Sequence, residues 1–196
     1  MNPSDPRTFI VGNSSSSSSG EVRCTSSSPG PFDSRSALVM LSVGGALDYT
    51  NNRGFACCVM AGAVETLTPD ADDDHWDLIE GQGSLFHVSY SGVTMALIHG
   101  GQPDHLILCH EPTRTHMRGL PHYSIPTLEA LYETALPLAR IGNPDCKISG
   151  ICINTKNTNE VEGKALIKEI ESTFQLPTVD PFKDGTKKIV DNLVKN

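Results

Sequence analysis

The chain has 196 residues, 38% of them apolar, and a formal net charge of −8. This length suffices for one domain with a hydrophobic core. The acidic balance argues against binding to nucleic acid or to an anionic membrane surface, because both require a positively charged footprint.

The first quarter of the chain differs in composition from the rest. Residues 13–36 are rich in serine and include an unbroken run at 14–19, so they offer little apolar surface to bury. We therefore predict that residues 1–54 form a low-complexity, disordered leader and that residues 55–196 form the domain. No secretory signal or membrane-spanning stretch is evident, which predicts a cytoplasmic location.

Helical and strand patterns alternate after residue 55. In chain order we predict a helix at 55–67, a strand at 76–80, a helix at 91–99, a strand at 105–110, a loop at 111–126, a helix at 127–140 kinked by Pro137, a strand at 147–154, a helix at 160–174, a strand at 176–180 and a helix at 184–193 capped by Asp184. This alternation predicts an α/β fold with a mostly parallel sheet. Ligands of such sheets bind at the carboxyl ends of the strands.

The first predicted strand ends in the sequence DLIEGQGS, residues 77–84. Glu80 at its tip could hold Mg²⁺ through a carboxylate oxygen. The glycines Gly81 and Gly83, together with Ser84, could present N–H and hydroxyl donors to an anion. A plain glycine turn beside a solvated glutamate explains the same pattern equally well.

Ionisable side chains crowd the end of the second predicted strand, in CHEPTRTHMRG at residues 109–119. His110 or His116 could act as a general base near neutral pH. Arg114 could clamp a carboxylate or phosphate, and Glu111 could bind an ammonium group or orient a histidine. The alternative is a polar surface loop, although long loops at this position of an α/β sheet are often functional.

The third predicted strand ends in Asn154 and Thr155, which either recognise a ligand, such as a nucleotide base, or cap the following loop. The seven histidines form no HExxH pair and the six cysteines no CxxC pair, so we predict no transition-metal site or disulfide. The phosphate-binding patterns GxxxxGK[ST] and GxGxxG are also absent from the sequence.

From residue 60 onward the sequence resembles the D-glutamate N-acetyltransferase family. The resemblance rests chiefly on the strings EGQGSLFH at 80–87 and CHEPTRTHMRG at 109–119, with further matches at 154–155 and 176–181. It implies a three-layer P-loop NTPase-like domain that normally follows a Rossmann-like domain, and acetyl transfer from acetyl-CoA to the amino group of D-glutamate. Glu80 matches a Mg²⁺-binding glutamate of related dethiobiotin-synthetase-like enzymes.

Residues 1–54 do not match this family, which predicts an N-terminally truncated domain without its Walker A strand. Such a gap in the sheet would leave an unpaired edge and favour a homo-oligomer. Three functions stay open: an N-acetyltransferase, an ATP- and Mg²⁺-dependent ligase, and an inactive ligand-binding remnant. For the transferase, the catalytic candidates are His110, His116 and Glu111, and the candidates for binding a small amino acid are Arg114, Thr115, Gly81, Gly83, Ser84, Asn154 and Thr155.

Overall fold

The computed structural model describes residues 37–43, 60–69, 71, 75–81 and 84–195. Its elements, in chain order, are β1 (Ala37–Val43), α1 (Met60–Leu67), β2 (Asp77–Glu80), α2 (Ser91–Gly101), β3 (His105–His110), β4 (His116–Met117), β5 (Leu120–Ser124), α3 (Leu128–Gly142), β6 (Lys147–Ile153), α4 (Glu160–Phe174), β7 (Thr178–Val179) and α5 (Lys187–Lys195). In this part of the chain, no helix is long and apolar enough to cross a membrane.

Five parallel strands form the main sheet in the order β2-β1-β3-β6-β7. Strand β3 is buried along nearly its whole length, as expected of a strand covered on both faces. Because every strand runs in the same direction, the ends of β2, β3, β6 and β7 meet at one edge of the sheet. The predicted α/β class with a parallel sheet is therefore confirmed.

Strand β1 corrects the prediction for residues 1–54. Its sequence, ALVMLSV, is the apolar run expected of a buried central strand, but the serine-rich residues around it dominated the composition. β1 pairs with β2 on one side and with β3 on the other, so the sheet has no central gap. A disordered leader is thus wrong for these seven residues, and so is the predicted gap at the centre of the sheet. Residues 1–36 and 44–54 lie outside the described part.

Other elements differ from their predictions in detail. The predicted loop at 111–126 contains an antiparallel hairpin, β4-β5, whose short strands carry little apolar periodicity. Helix α5 begins at Lys187 rather than at residue 184, and the Asp184 carboxylate instead accepts a hydrogen bond from the Asp180 backbone N–H at 3.4 Å. Helix α3 continues through Pro137 to Gly142, capped at its start by the Thr127 hydroxyl.

Helices pack on both faces of the sheet. Helix α3 contacts β1, β3 and β6, and the rings of Tyr132 and Phe174 connect α3 to α4 at a centroid distance of 5.4 Å. Helix α5 packs on β6 and β7, where Ile189 lies directly over Gly150. This arrangement gives the three layers of the predicted architecture and leaves the carboxyl edge of the sheet to loops.

Helices α1 and α2 approach each other closely at Gly100. A Cβ atom at this position would lie 2.2 Å from the Ala61 carbonyl oxygen and 2.7 Å from the Val64 Cβ. The first of these contacts is with backbone, which cannot move aside without shifting the whole helix. The absence of a side chain at residue 100 therefore sets the distance between the two helices.

We expect Gly100→Ala to lower the free energy of unfolding by about 1–3 kcal/mol, although alanine favours helix by about 1 kcal/mol over glycine. Gly62→Ala, also in a helix, is the matched control, because among the described residues no atom outside its own helix lies within 4 Å of the added Cβ. It should be neutral or stabilising. Urea unfolding of both variants checks this, and equal effects would contradict the close helix contact.

Candidate active site

Three strand ends are tied together at the carboxyl edge. The Asn154 backbone N–H donates to the His110 carbonyl at 2.9 Å, which joins the end of β6 to the end of β3. Beyond it, the Asn157 amide reaches back to Glu111 in the loop after β3. On the other side, Thr155 donates to Asp180, which follows β7. The structure thus brings together residues that sequence analysis placed at separate strand ends.

His110 is the last residue of β3 and lies mostly out of solvent. Its Nδ1 atom is shielded and has no hydrogen-bond partner within the described part of the chain. Burial lowers the pKa of His110 below the ordinary histidine value, and Arg114 acts in the same direction, whereas Glu111 and Glu129 oppose it. His110 is therefore a neutral imidazole at neutral pH, the form that can accept a proton.

The carboxylate of Glu111 is held by three donors. Arg114 Nη2 lies 2.9 Å from Oε2, while the Thr113 hydroxyl and the Asn157 amide, the latter at 3.3 Å, donate to Oε1. Burial alone would raise the pKa of Glu111, but the Thr113 bond, the Arg114 charge and the Asn157 bond together hold it below its usual range. Glu111 is thus an anion beside His110.

Asp180 is the buried acceptor beneath the loop after β6. It is 1% exposed, and its Oδ2 accepts from both the N–H, at 3.0 Å, and the hydroxyl of Thr155. Its Oδ1 accepts from the N–H groups of Phe182 and Lys183. Burial would raise the pKa of Asp180, but these hydrogen bonds, led by those from Thr155, bring it below the usual aspartate value.

The loop after β6 is held from a second direction by helix α4. A Cβ atom on Gly163 would lie 3.2 Å from the Thr155 Cβ and 3.1 Å from the Thr158 hydroxyl. The Lys183 ammonium also donates to the Thr155 carbonyl at 3.1 Å. Thr155, predicted to bind substrate, is consequently a buried residue whose polar groups serve the structure of the edge.

His116 and Thr115 lie on the hairpin and are exposed. The Thr115 hydroxyl lies 3.2 Å from His116 Nδ1, its neighbour in sequence. The hairpin is anchored by His87, which is 2% exposed. Because His87 Nδ1 accepts from the Ser89 N–H, its Nε2 carries the proton and donates to the Arg118 carbonyl at 3.2 Å. His116 thus has a quite different environment from His110.

The end of β2 is set apart from this group. Glu80 aligns with Met40 of β1, which aligns with Ile107, so Glu80 is two strands away from His110 and three residues short of it. Glu80 is exposed, Gly81 and Ser84 are buried, and the Ser84 hydroxyl accepts from the Phe86 N–H within its own turn. Gly83 lies outside the described residues.

A magnesium site at Glu80 stays a prediction. Among the described residues, no group of three or more histidine, cysteine, aspartate or glutamate side chains could surround a metal ion. Glu80 would supply a single carboxylate ligand. A Mg²⁺ ion bound in this way would need substrate phosphates and water for its remaining ligands.

Four participants in this edge were not among the predicted site residues: Thr113, Asn157, Asp180 and Lys183. Asp180 was indicated by the sequence only as the end of a predicted strand of the parallel sheet, without an assigned role. Thr113 lies within the predicted polar loop but carries no ionisable group. Asn157 and Lys183 lie several residues beyond their strands, so their positions depend on loop paths that no sequence pattern specifies.

We expect Thr155→Val to lower the free energy of unfolding by about 1–3 kcal/mol, because it leaves the buried Asp180 carboxylate one donor short. Thr173→Val, which loses an exposed hydroxyl bond to the Glu169 carbonyl on α4, should cost less than about 0.5 kcal/mol. Chemical unfolding at neutral pH measures both.

The Thr155→Val effect should also depend on pH. Because the folded-state pKa of Asp180 is lowered, its stabilisation is complete above the ordinary aspartate pKa and is lost as pH falls through the folded value. The difference between wild type and Thr155→Val should therefore shrink in acid. A difference that is constant down to acidic pH would contradict the charged hydrogen bond.

Comparisons with known proteins place the fold and family. Residues 56–190 match the family described as "Domain of unknown function (DUF1611_C) P-loop domain". The crystal structure of a DUF1611 family protein from Anabaena variabilis superposes with a TM-score of 0.61 and 26% identity, over 82% of this chain and 49% of that one. The predicted P-loop-type fold is thereby confirmed.

Two curated relatives carry the name D-glutamate N-acetyltransferase. The protein from Tritonibacter scottomollicae is 67% identical over 134 residues, which are 68% of this chain and 40% of the relative. The one from a Pseudoalteromonas species is 46% identical over 140 residues, or 69% and 42%. The chain thus spans about two fifths of their length. The family match covers more than half of this chain's residues. The chain therefore belongs to the DUF1611 family and corresponds to the P-loop domain of that family.

Proposed function

We propose that this chain acts in N-acetyl transfer, moving the acetyl group of acetyl-CoA to the amino group of D-glutamate. The observation that carries this proposal is the 67% identity to a protein named D-glutamate N-acetyltransferase. Because the chain spans 40% of that relative, the proposal concerns the part of the reaction that this domain's own residues can perform.

The chemistry of acetyl transfer determines what the domain must provide. The amine nitrogen attacks the thioester carbon, the new C–N bond forms, the C–S bond breaks, and CoA leaves as a thiolate. The amine must give up a proton, so a neutral base has to lie near it. N–H donors that face the developing oxyanion lower the barrier further.

His110 fits the role of this base better than His116 does. It is neutral at neutral pH, the negative charges of Glu111 and Glu129 would stabilise its protonated ring, and its shielded Nδ1 has no partner in the described structure. A buried polar atom without a partner is uncommon and suits a site that a ligand completes. His116 is exposed on the hairpin and has no such surroundings.

The other predicted residues have roles that follow from their positions. Arg114, at the same loop as His110, is the cation for a substrate carboxylate. Gly81 and Ser84 follow β2 and Asn154 follows β6, at the same edge of the sheet. We assign their N–H and hydroxyl donors to anionic oxygens of the substrate or of acetyl-CoA. Thr155 is assigned to holding the edge in place rather than to substrate contact.

We expect His110→Asn to lower kcat/KM for N-acetyl-D-glutamate formation by about 10²–10⁴-fold, the usual contribution of a general base. His116→Asn and the control His122→Asn, an exposed histidine of β5, should change it less than threefold, on the order of an ordinary surface substitution. Product is measured by mass spectrometry with acetyl-CoA and either D- or L-glutamate, alongside a full-length relative.

The outcomes separate the functions left open by the sequence. Product from D-glutamate in the relative but not in this chain would show that the reaction requires residues beyond it. Release of ADP from ATP and Mg²⁺, coupled to glutamate, would favour the ligase. An equal loss in His110→Asn and His116→Asn would contradict the assignment of His110 as the single base.

The pH dependence of kcat/KM should follow the ionisation of His110. A base works only when deprotonated, so activity should fall as pH drops through the pKa of His110. Because burial lowers that pKa, the acid limb of kcat/KM should lie below the ordinary histidine value of about 6.5. A limb above that value would contradict the assignment.

A further inference from the structure

The side chains around Glu111 form a complete set of carboxylate donors. One carboxylate oxygen is paired with the Arg114 guanidinium at 2.9 Å. The other accepts hydrogen bonds from the Thr113 hydroxyl and the Asn157 amide. The Asn157 amide also lies 3.4 Å from the Thr113 hydroxyl, so these two donors support each other. A guanidinium nitrogen on one oxygen and two neutral donors on the other form an arrangement that suits a carboxylate ligand.

Each donor comes from a place accessible to a ligand. Thr113 and Asn157 are exposed, and the Arg114 side chain retains 21% of its surface. They belong to two loops, one after β3 and one after β6, that meet above the strand ends where ligands bind in parallel sheets. His110, whose Nδ1 has no hydrogen-bond partner among the described residues, immediately precedes Glu111 in the chain.

We propose that Thr113, Arg114 and Asn157 form the binding subsite for a carboxylate of the amino-acid substrate, and that Glu111 is a resident carboxylate which the substrate displaces. The proposal deepens the proposed function, on which its choice of substrate rests. Glu111 keeps the donors satisfied and the loops in position until the ligand arrives. Its side chain then turns outward, and the substrate carboxylate takes over its hydrogen bonds.

Displacement of Glu111 by the substrate predicts the opposite effect of a Glu111 variant on carboxylate affinity from the one that a binding role for Glu111 predicts. If Glu111 bound the substrate's ammonium group or served only to hold the loop, removing its charge would weaken binding or leave it unchanged. If it competes for the same donors, removing its charge should strengthen the binding of a carboxylate. Asn157, which no sequence pattern indicated, becomes a specificity-determining residue.

Glutarate is the probe, because it has the two carboxylates of glutamate but no amine. We expect Glu111→Gln and Glu111→Ala each to bind glutarate about fivefold more tightly than wild type, as for removal of one nearby like charge at a solvated site. Arg114→Gln should weaken binding about 10–100-fold and Asn157→Ala about fivefold. Binding is followed by two-dimensional NMR, which also shows that each variant is folded.

Glu169→Gln is the matched control, since it makes the same charge change on an exposed residue near the far end of α4 and should leave affinity unchanged. Tighter binding in both Glu111 variants and weaker binding in Arg114→Gln would support the exchange. Unchanged or weaker binding in the Glu111 variants, or no glutarate binding by wild type and variants alike, would overturn it. The same pattern without acetylation of D-glutamate by either this chain or the full-length relative would keep the subsite and reject the proposed function.

Discussion

The buried carboxylate of Asp180 is the group on which the geometry of the candidate site depends. It accepts four hydrogen bonds, two from Thr155 and one each from the N–H groups of Phe182 and Lys183, and so joins the loop after β6 to the loop after β7. A carboxylate with 1% exposure is tolerated only because these donors replace its lost water. These hydrogen bonds fix the loop after β6, and that loop holds Asn154 and Asn157 at the edge of the sheet.

Two hydrogen bonds connect the loop after β6 to the end of β3. The Asn154 N–H is bonded to the His110 carbonyl, and the Asn157 amide is bonded to the Glu111 carboxylate. The position of Glu111 beside His110 is therefore set by residues about 45 positions later in the chain. Parallel pairing of β3 with β6 makes this contact possible, because it places the two strand ends side by side.

Local periodicity was sufficient to predict most of the sheet and helices. The buried run HLILCH and the amphipathic helix at residues 160–174 have the bounds predicted for them. Strand β1 was missed because composition averaged over residues 1–54 outweighed its seven-residue apolar run. The site was only partly predictable: strand ends indicated His110, Glu111, Asn154 and Asp180. Which of these side chains meet, and that Asn157 joins them, depends on loop conformations that are set by long-range hydrogen bonds.

Exchange of one carboxylate for another would preserve the electrostatics that His110 needs. The anion at Glu111 raises the pKa of His110 against the effect of burial, so loss of that charge alone would make the imidazole a weaker base. A substrate carboxylate on Arg114, Thr113 and Asn157 restores a negative charge at the same place. Proton acceptance would thus be most favourable when the subsite holds either Glu111 or the substrate. A neutral ligand in the same position would satisfy the hydrogen bonds but leave the protonated ring without its counter-charge. The site should therefore favour acidic substrates.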